Sequence, residues 1–432
     1  FFLEKNNFHF LAKKRLENQT RRTKPTMKIA STLLLLLTTT TTAYVTTPEH
    51  FGAVGDGKTN DWHPIQQALA SCTNTTDHYC RIDFTQTYMS GPLQLATSNT
   101  TLNVTGNLLM LPKDTYDYPH GLPFIGNAGT ITNVRVTGGG TIGNHILPVK
   151  WWACKLTGCF RPHLITFRNV VGVRMDNLHL RNPPNHFVEM DSCTNVRVNN
   201  MNMKAPHESP NSDGINFYGG QDQSLTNSLI SNGDDCVSVV PIGEGTDACA
   251  NGDPAQPSCR GGNVRVRNVT CEGGHGIAIG GIRHGTVSNV TFENMTATGG
   301  FGNTQGLYSP GGIRIKSYPG SRGSVYDVHY KDIVLDGVYT PLSVLTRYCP
   351  WPCTAPDSKV HACQFHDISL DNVRGTGRSE VVGFFNCSTI KPCYNISLNN
   401  VVLGTPGKAT IKCSESPLTF TGESSPKECS PM

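Results

Sequence analysis

The chain has 432 residues, enough for one large domain or two to three ordinary ones. Only 16% of it is charged, and it carries 44 glycines and 27 prolines, a mix that excludes coiled coils, helical bundles and charge-rich disorder. The net charge of +4 arises at the front: residues 1–43 hold eight basic residues against Glu4 and Glu17, while the remaining 28 basic and 30 acidic residues leave a net −2 and no nucleic-acid footprint.

In chain order, residues 1–26 read as an upstream or wrongly assigned segment ahead of Met27. Met27-Lys28-Ile29, the apolar run Leu33 to Leu37, a threonine tract and Ala43 make residues 27–43 a secretory signal peptide. The run is too short to anchor the chain in a bilayer, which takes about 20 apolar residues. Sixteen cysteines agree with an oxidising destination. Sequence neighbours pair as Cys72–Cys80, Cys154–Cys159, Cys249–Cys259, Cys387–Cys393 and Cys413–Cys429. Cys349 and Cys353 lack the second tight pair of a zinc site, so no metal is expected. Asn-x-Ser/Thr sequons occur at Asn74, Asn99, Asn103, Asn268, Asn289, Asn294, Asn386 and Asn395, and several should lie on the surface.

The stem from Phe51 to Asp61 places Gly52, Gly57, Lys58 and Thr59 at phosphate-loop spacing, but no apolar strand precedes it and no βαβ pattern follows. A turn and a short helix over Pro64–Ala70, capping an open apolar end, is the better reading. From about Thr130 one phrase then returns: Asn133-Val-Arg-Val, Gly172-Val-Arg-Met, Asn195-Val-Arg-Val, Asn263-Val-Arg-Val, Asn289-Val-Thr-Phe and Asn395-Ile-Ser-Leu. Short β-branched strands at a loose period of about 20 to 40 residues, without helical periodicity between them, indicate a parallel β-solenoid. A β-propeller would need four strands per blade and signatures that are absent. The expected fold is all-β: one parallel β-helix domain over residues 44–432, its core running from about 48 to 415. Asparagine recurring at the turns suits ladders of side-chain amides.

Four clusters occupy 211–316: Asn211-Ser-Asp213-Gly, Gly233-Asp234-Asp235-Cys, Gly274-His275-Gly and Arg314-Ile-Lys316. Asp234 follows Asp213 by 21 residues, about one coil, so stacking can bring the clusters into one groove. Crowded carboxylates raise at least one pKa and give a neutral acid beside an ionised base. Arg314 and Lys316 share one face of a strand while Ile315 faces the core, and fixed positive charge there suits a carboxylate-bearing substrate. Asp234 and Asp235 cannot both point outward from a flat strand, so a bend is expected between them. Strand parity does not place His275.

The set resembles the polygalacturonase family of glycoside hydrolases, from the Phe51 stem to the C-terminal cysteine pairs. That resemblance implies a right-handed β-helix, Asp234 as general acid, Asp213 and Asp235 as the pair activating water, and His275 as support for the acid. It further implies that Arg314, Lys316, Tyr348 and Asn211 contact the sugar and that Cys236 bonds Cys271. The expected reaction is hydrolysis of α-1,4-galacturonosyl linkages in pectin with inversion and without cofactor, by a monomer secreted to the cell wall and free of the membrane once its signal is cleaved. The long loop from Gly243 to Arg260 tilts the reading towards exo-action. Alternatives are a hydrolase of xylogalacturonan or rhamnogalacturonan, a pectate-lyase-like β-helix and a non-catalytic wall-binding solenoid.

Overall fold

An alternating strand leaves each coil an apolar face that it cannot bury alone, and stacking of coils removes that face from water. In the computed structural model, which describes residues 43–72, 79–242, 249, 259–299, 311–349 and 361–432, strands from Tyr44 to Pro431 wind as a right-handed parallel β-helix. The 28 strands among the described residues form one continuous sheet in which successive coils pair in parallel. Val171 pairs with Thr194 and Thr194 with Gln221, so coil length varies while register is kept. Inside, Ile165, Val188, Ile215, Val237, Ile277, Ile313 and Leu342 stack in register, and none is more than 1% exposed. Each such side chain contributes roughly 1.5–3 kcal/mol by leaving water.

The recurring asparagine has a conformational cause. Asn133, Asn195, Asn263, Asn289 and Asn395 turn the coil in the left-handed region, with φ between 50° and 58°, where asparagine is tolerated far better than β-branched residues. A second corner repeats this at Asn177, Asn200, Asn227, Asn268 and Asn294. Their amides ladder from coil to coil: Asn268 Nδ2 donates to Asn227 Oδ1 at 2.9 Å, and Asn294 Nδ2 to Asn268 Oδ1 at 2.8 Å. Asn289 donates likewise to Asn263 at 2.8 Å. Five of the sequon asparagines, Asn268, Asn289 and Asn294 together with Asn103 and Asn395, which donate to Asp83 and Asp367, thus engage the nitrogen that a glycan would occupy. Asn74 lies outside the described residues.

The stem forms as a cap. The Asp61 carboxylate accepts N–H groups from Val54 (2.8 Å) and Gly55 (3.1 Å), and Asp56 accepts those of Lys58 and Thr59, so the glycine loop has its own anions in place of a phosphate. The helix runs over Trp62–Ala70, two residues earlier than expected, and sends Ile65 and Ala68 into the core. A second helix over Val149–Thr157 was not legible, because its nine residues bury only Trp151 and Cys154. The sheet also continues past the expected core end at 415, through the strands Leu418–Thr421 and Cys429–Pro431.

All five local cysteine pairs are bonded, as is Cys236–Cys271, which joins two coils at the clusters. Cys349 is disulfide-bonded too, while Cys353 lies outside the described residues. Among the described residues, Cys193 and Cys363 are free and buried. No helix among the described residues is long and apolar enough to cross a membrane. The proposed leader falls outside the described residues except at Ala43.

Candidate active site

The site is assembled from turns that precede strands of one sheet. Ser212, fully buried, accepts the Gly233 N–H on its hydroxyl at 2.9 Å. Asn232 Nδ2 donates to the carbonyls of Ser212 (2.7 Å) and Asp235 (2.9 Å), so the Asp213 turn and the Asp234 turn are fastened together. Asp234 closes its turn, and the strand Asp235–Val240 starts with a register shift between Asp235 and Val237. This is the expected bend. It leaves the Asp234 side chain 19% exposed and that of Asp235 4% exposed.

His275 sits in a turn ahead of the strand Gly276–Thr298, which explains why parity could not place it. Gly274 (φ +57°) permits the turn, since a Cβ there would meet the Asp234 carbonyl oxygen at 2.2 Å. The His275 backbone N–H donates to that same carbonyl at 2.9 Å. Its Nδ1 lies 2.7 Å from Asp234 Oδ1. The three carboxylates and the imidazole expected from the sequence are therefore on adjacent coils.

The expected sugar contacts turn inward in part. Ile315 faces the core, and Arg314 and Lys316 do share the other face. Both cations meet Asp235, Arg314 at 3.1 Å to Oδ1 and Lys316 at 2.7 Å to Oδ2, and both are buried. Their reach across the intervening coil holds a carboxylate of the protein where a substrate carboxylate was expected. Tyr348, 7% exposed, lies over the two cations with its ring centre 5.4 Å from the Arg314 guanidinium and 5.5 Å from Lys316 Nζ. Asn211 donates to Asp234 Oδ2 at 3.3 Å and accepts from Arg161 at 2.8 Å, which makes it a support of Asp234 in this geometry. Arg161, His163, His186, Glu189 and Asn216 escaped the sequence reading. Their signal is a spacing of three, in His163/Thr166, His186/Glu189 and Asp213/Asn216, which acquires meaning only once the coils are aligned.

Electrostatics divide the carboxylates. Burial raises Asp213, and Asp234 and Asp235 add to that against the opposing pull of His186, so Asp213 binds its proton well above the usual range. Burial also acts on Asp234, but His275, then Lys316 and Arg314, overcome it and hold that carboxyl below the usual range. One acid is raised, as expected, yet in the substrate-free protein it is Asp213, whereas Asp234 was the expected neutral acid. Asp234, Asp235 and His275 offer atoms within 4.8 Å of one another, a spacing that a metal could use. Arg314 and Lys316 already engage Asp235, one cation at each of its oxygens. A separate hollow of about 500 Å³ around Met110, Lys113, Ile146 and Trp151 shares no residue with this cluster.

A family profile described as glycosyl hydrolases family 28 matches residues 72–426. The chain is 30% identical to polygalacturonase-2 of Solanum lycopersicum over 84% of its length and 76% of that protein. It is 29% identical to polygalacturonase QRT2 of Arabidopsis thaliana, covering 87% of this chain and 82% of that one. Among solved structures, a hyperthermoactive exopolygalacturonase from Thermotoga maritima matches with TM-score 0.66 at 17% identity over 87% of this chain and 92% of that one. An endo-xylogalacturonan hydrolase from Aspergillus tubingensis matches with TM-score 0.65 at 22% identity over 90% and 99%. These two likenesses concern the fold.

Proposed function

The chain belongs to glycosyl hydrolases family 28 and is a pectin-degrading glycoside hydrolase; from this premise we propose that it hydrolyses α-1,4-galacturonosyl linkages of polygalacturonan. The observation that carries the proposal is the convergence of Asp213, Asp234, Asp235 and His275 on neighbouring coils, with two cations behind Asp235. Asp234 delivers the proton to the leaving glycosidic oxygen, and the 2.7 Å contact with His275 holds its carboxyl in position. A substrate carboxylate entering the groove raises the proton affinity of Asp234 from its low resting state. Asp235, kept as an acceptor by Arg314 and Lys316, shares with Asp213 the activation of water on the opposite side of the sugar. Direct attack by that water inverts the anomeric carbon, as the family resemblance implies.

The Cys249–Cys259 bridge supports a stiff rim beside the groove and with it exo-action, although residues 243–248 and 250–258 lie outside the described residues. Secretion is supported by six disulfides among the described residues. Product sizing from unsubstituted polygalacturonate, with and without chelator, tests the reading: galacturonate or short saturated products, unaffected by chelator, are expected. Ultraviolet-absorbing ends that need calcium would overturn it in favour of a lyase, and binding without cleavage in favour of a wall-binding solenoid. Cleavage confined to xylogalacturonan or rhamnogalacturonan would move the substrate. A steep viscosity drop at low conversion would refute exo-action alone.

A further inference from the structure

The column of groups in the site runs one coil further than proton transfer and water activation require. Thr166, Glu189 and Asn216 are register partners on three coils, and His163, His186 and Asp213 each stand three residues before them. His186 Nε2 consequently lies 3.6 Å from Asp213 Oδ1, and its Nδ1 lies 2.9 Å from Glu189 Oε1. Asn216, 1% exposed, sets its carboxamide 2.9 Å from the same Nδ1, and its Oδ1 has no hydrogen-bond partner among the described residues. Half a turn of that amide points the oxygen at a protonated Nδ1. Glu189 is fixed in turn: the Thr166 hydroxyl donates to Oε2 at 3.4 Å, and His163 Nε2 lies 3.4 Å from Oε1. A glutamate only 8% exposed is costly unless paired.

A metal among His163, His186 and Glu189 is the competing reading, since their atoms lie within 4.8 Å of one another. The tautomer of His163 opposes it. Nδ1 of His163 accepts the His186 backbone N–H at 3.3 Å, so the proton of the neutral ring sits on Nε2, the nitrogen facing Glu189. A nitrogen that carries a proton donates and cannot ligate.

We propose that His186, fixed by Glu189, is a positioning residue for Asp213: its imidazolium bridges the two carboxylates, keeps Asp213 aimed and favours its ionised form for water activation. The inference rests on the assignment of Asp213 to the water-activating pair. Charge around the ring agrees. Glu189, Asp213 and Asp234 act on it as anions, and the His163 ring lies 4.5 Å away, tilted by 43°. Burial would strip its proton, but Asp213 and Glu189 hold it up at about 9. Burial and the neighbouring His186 drive His163 down to about 3, so only one of the two rings is charged. On Asp213, His186 opposes the raising effects of burial, Asp234 and Asp235, with a smaller contribution from Lys316. Arg161 is the further cation that interacts with Asp213 and Asp234.

The test compares wild type with His186→Gln, which keeps a donor and removes the charge. Carbon-13 NMR of the enzyme labelled at aspartate Cγ follows the Asp213 titration without substrate, and kcat/KM on polygalacturonate is measured against pH. The Asp213 midpoint should move up by about one pH unit, with the acid limb of kcat/KM following it and costing about tenfold at the most acid pH. KM on the plateau should stay within about threefold. An unmoved midpoint, or the same loss of activity at every pH, would overturn the proposal. Failure of wild type to cleave polygalacturonate would count against the substrate reading only, because the NMR midpoint still judges His186. If His186→Gln does not fold, Glu189→Gln must shift the midpoint in the same direction, and no shift would refute the idea. Restored activity on adding zinc or loss on chelation would refute it in favour of a metal.

Discussion

Asp234 is gripped on both oxygens, by His275 at 2.7 Å and Asn211 at 3.3 Å, and an amide keeps its shape and one acceptor but has no proton to give. Asp234→Asn should therefore lower kcat by ~10²–10⁴-fold and leave substrate binding nearly unchanged, as reducing-end assays and calorimetric binding would check. Lys316→Ala has a different signature from that of a simple substrate contact. Because its ammonium holds Asp235, kcat should fall by a larger factor than KM rises, and steady-state kinetics at one pH separates the two. A third expectation concerns stability. Glu189 is held down to about 2 from 4.5, chiefly by the His186 hydrogen bond acting against burial, so its contribution is present above about 4.5 and is lost as pH falls towards 2. His186 is raised to about 9 from 6.5, so its share is present below 6.5 and is lost as pH rises through 9. Urea midpoints should peak between those limits, and Glu189→Gln should flatten both slopes. The three aspartates were legible because each stands in a distinctive short phrase. His186 and Glu189 were not, because nothing in Asn-His-Phe-Val-Glu sets it apart until the coils of 23 and 27 residues are aligned.

Along each coil the left-handed corner decides where strands stop and turn. Asn294 combines φ of 50° with an amide bond to Asn268, and the two contributions can be separated. Asn294→Gly keeps the backbone and should cost about 1 kcal/mol for the hydrogen bond. Asn294→Ala should cost about 1–2 kcal/mol more, since alanine resists the left-handed region. Chemical denaturation of both variants measures the difference. These corners are also why the solenoid could be read from Asn-Val-Arg-Val: the asparagine marks a bend and the alternation after it marks a buried face. The Val149–Thr157 helix lacked any comparable mark, with no acidic residue in its first turn and few buried positions. The arrival of Arg314 and Lys316 on Asp235 was likewise hidden, because a strand pattern gives the face of a side chain and not how far it reaches across the sheet.

At the largest scale the β-helix is a one-dimensional stack in which each coil leans only on its neighbours, and disulfides fasten it near both of its ends as well as at the site. Among the described residues of that stack stand two unbonded cysteines. Burial pushes the thiols of Cys193 and Cys363 up to about 12, so at neutral pH roughly one molecule in 10⁵ holds either as thiolate. Thiol–disulfide exchange needs a thiolate with access to a bridge, and the folded protein denies both. Native protein should thus resist iodoacetamide at these two positions, with peptide mass spectrometry as the check, and labelling should appear only on unfolding. Heated at mildly alkaline pH, the opened chain would release both nucleophiles among its bridges and scramble them; heated at pH 4, where thiols stay protonated, it should refold. The durability of this hydrolase after a heat shock would then be set by the acidity of its surroundings, through two side chains that take no part in its chemistry.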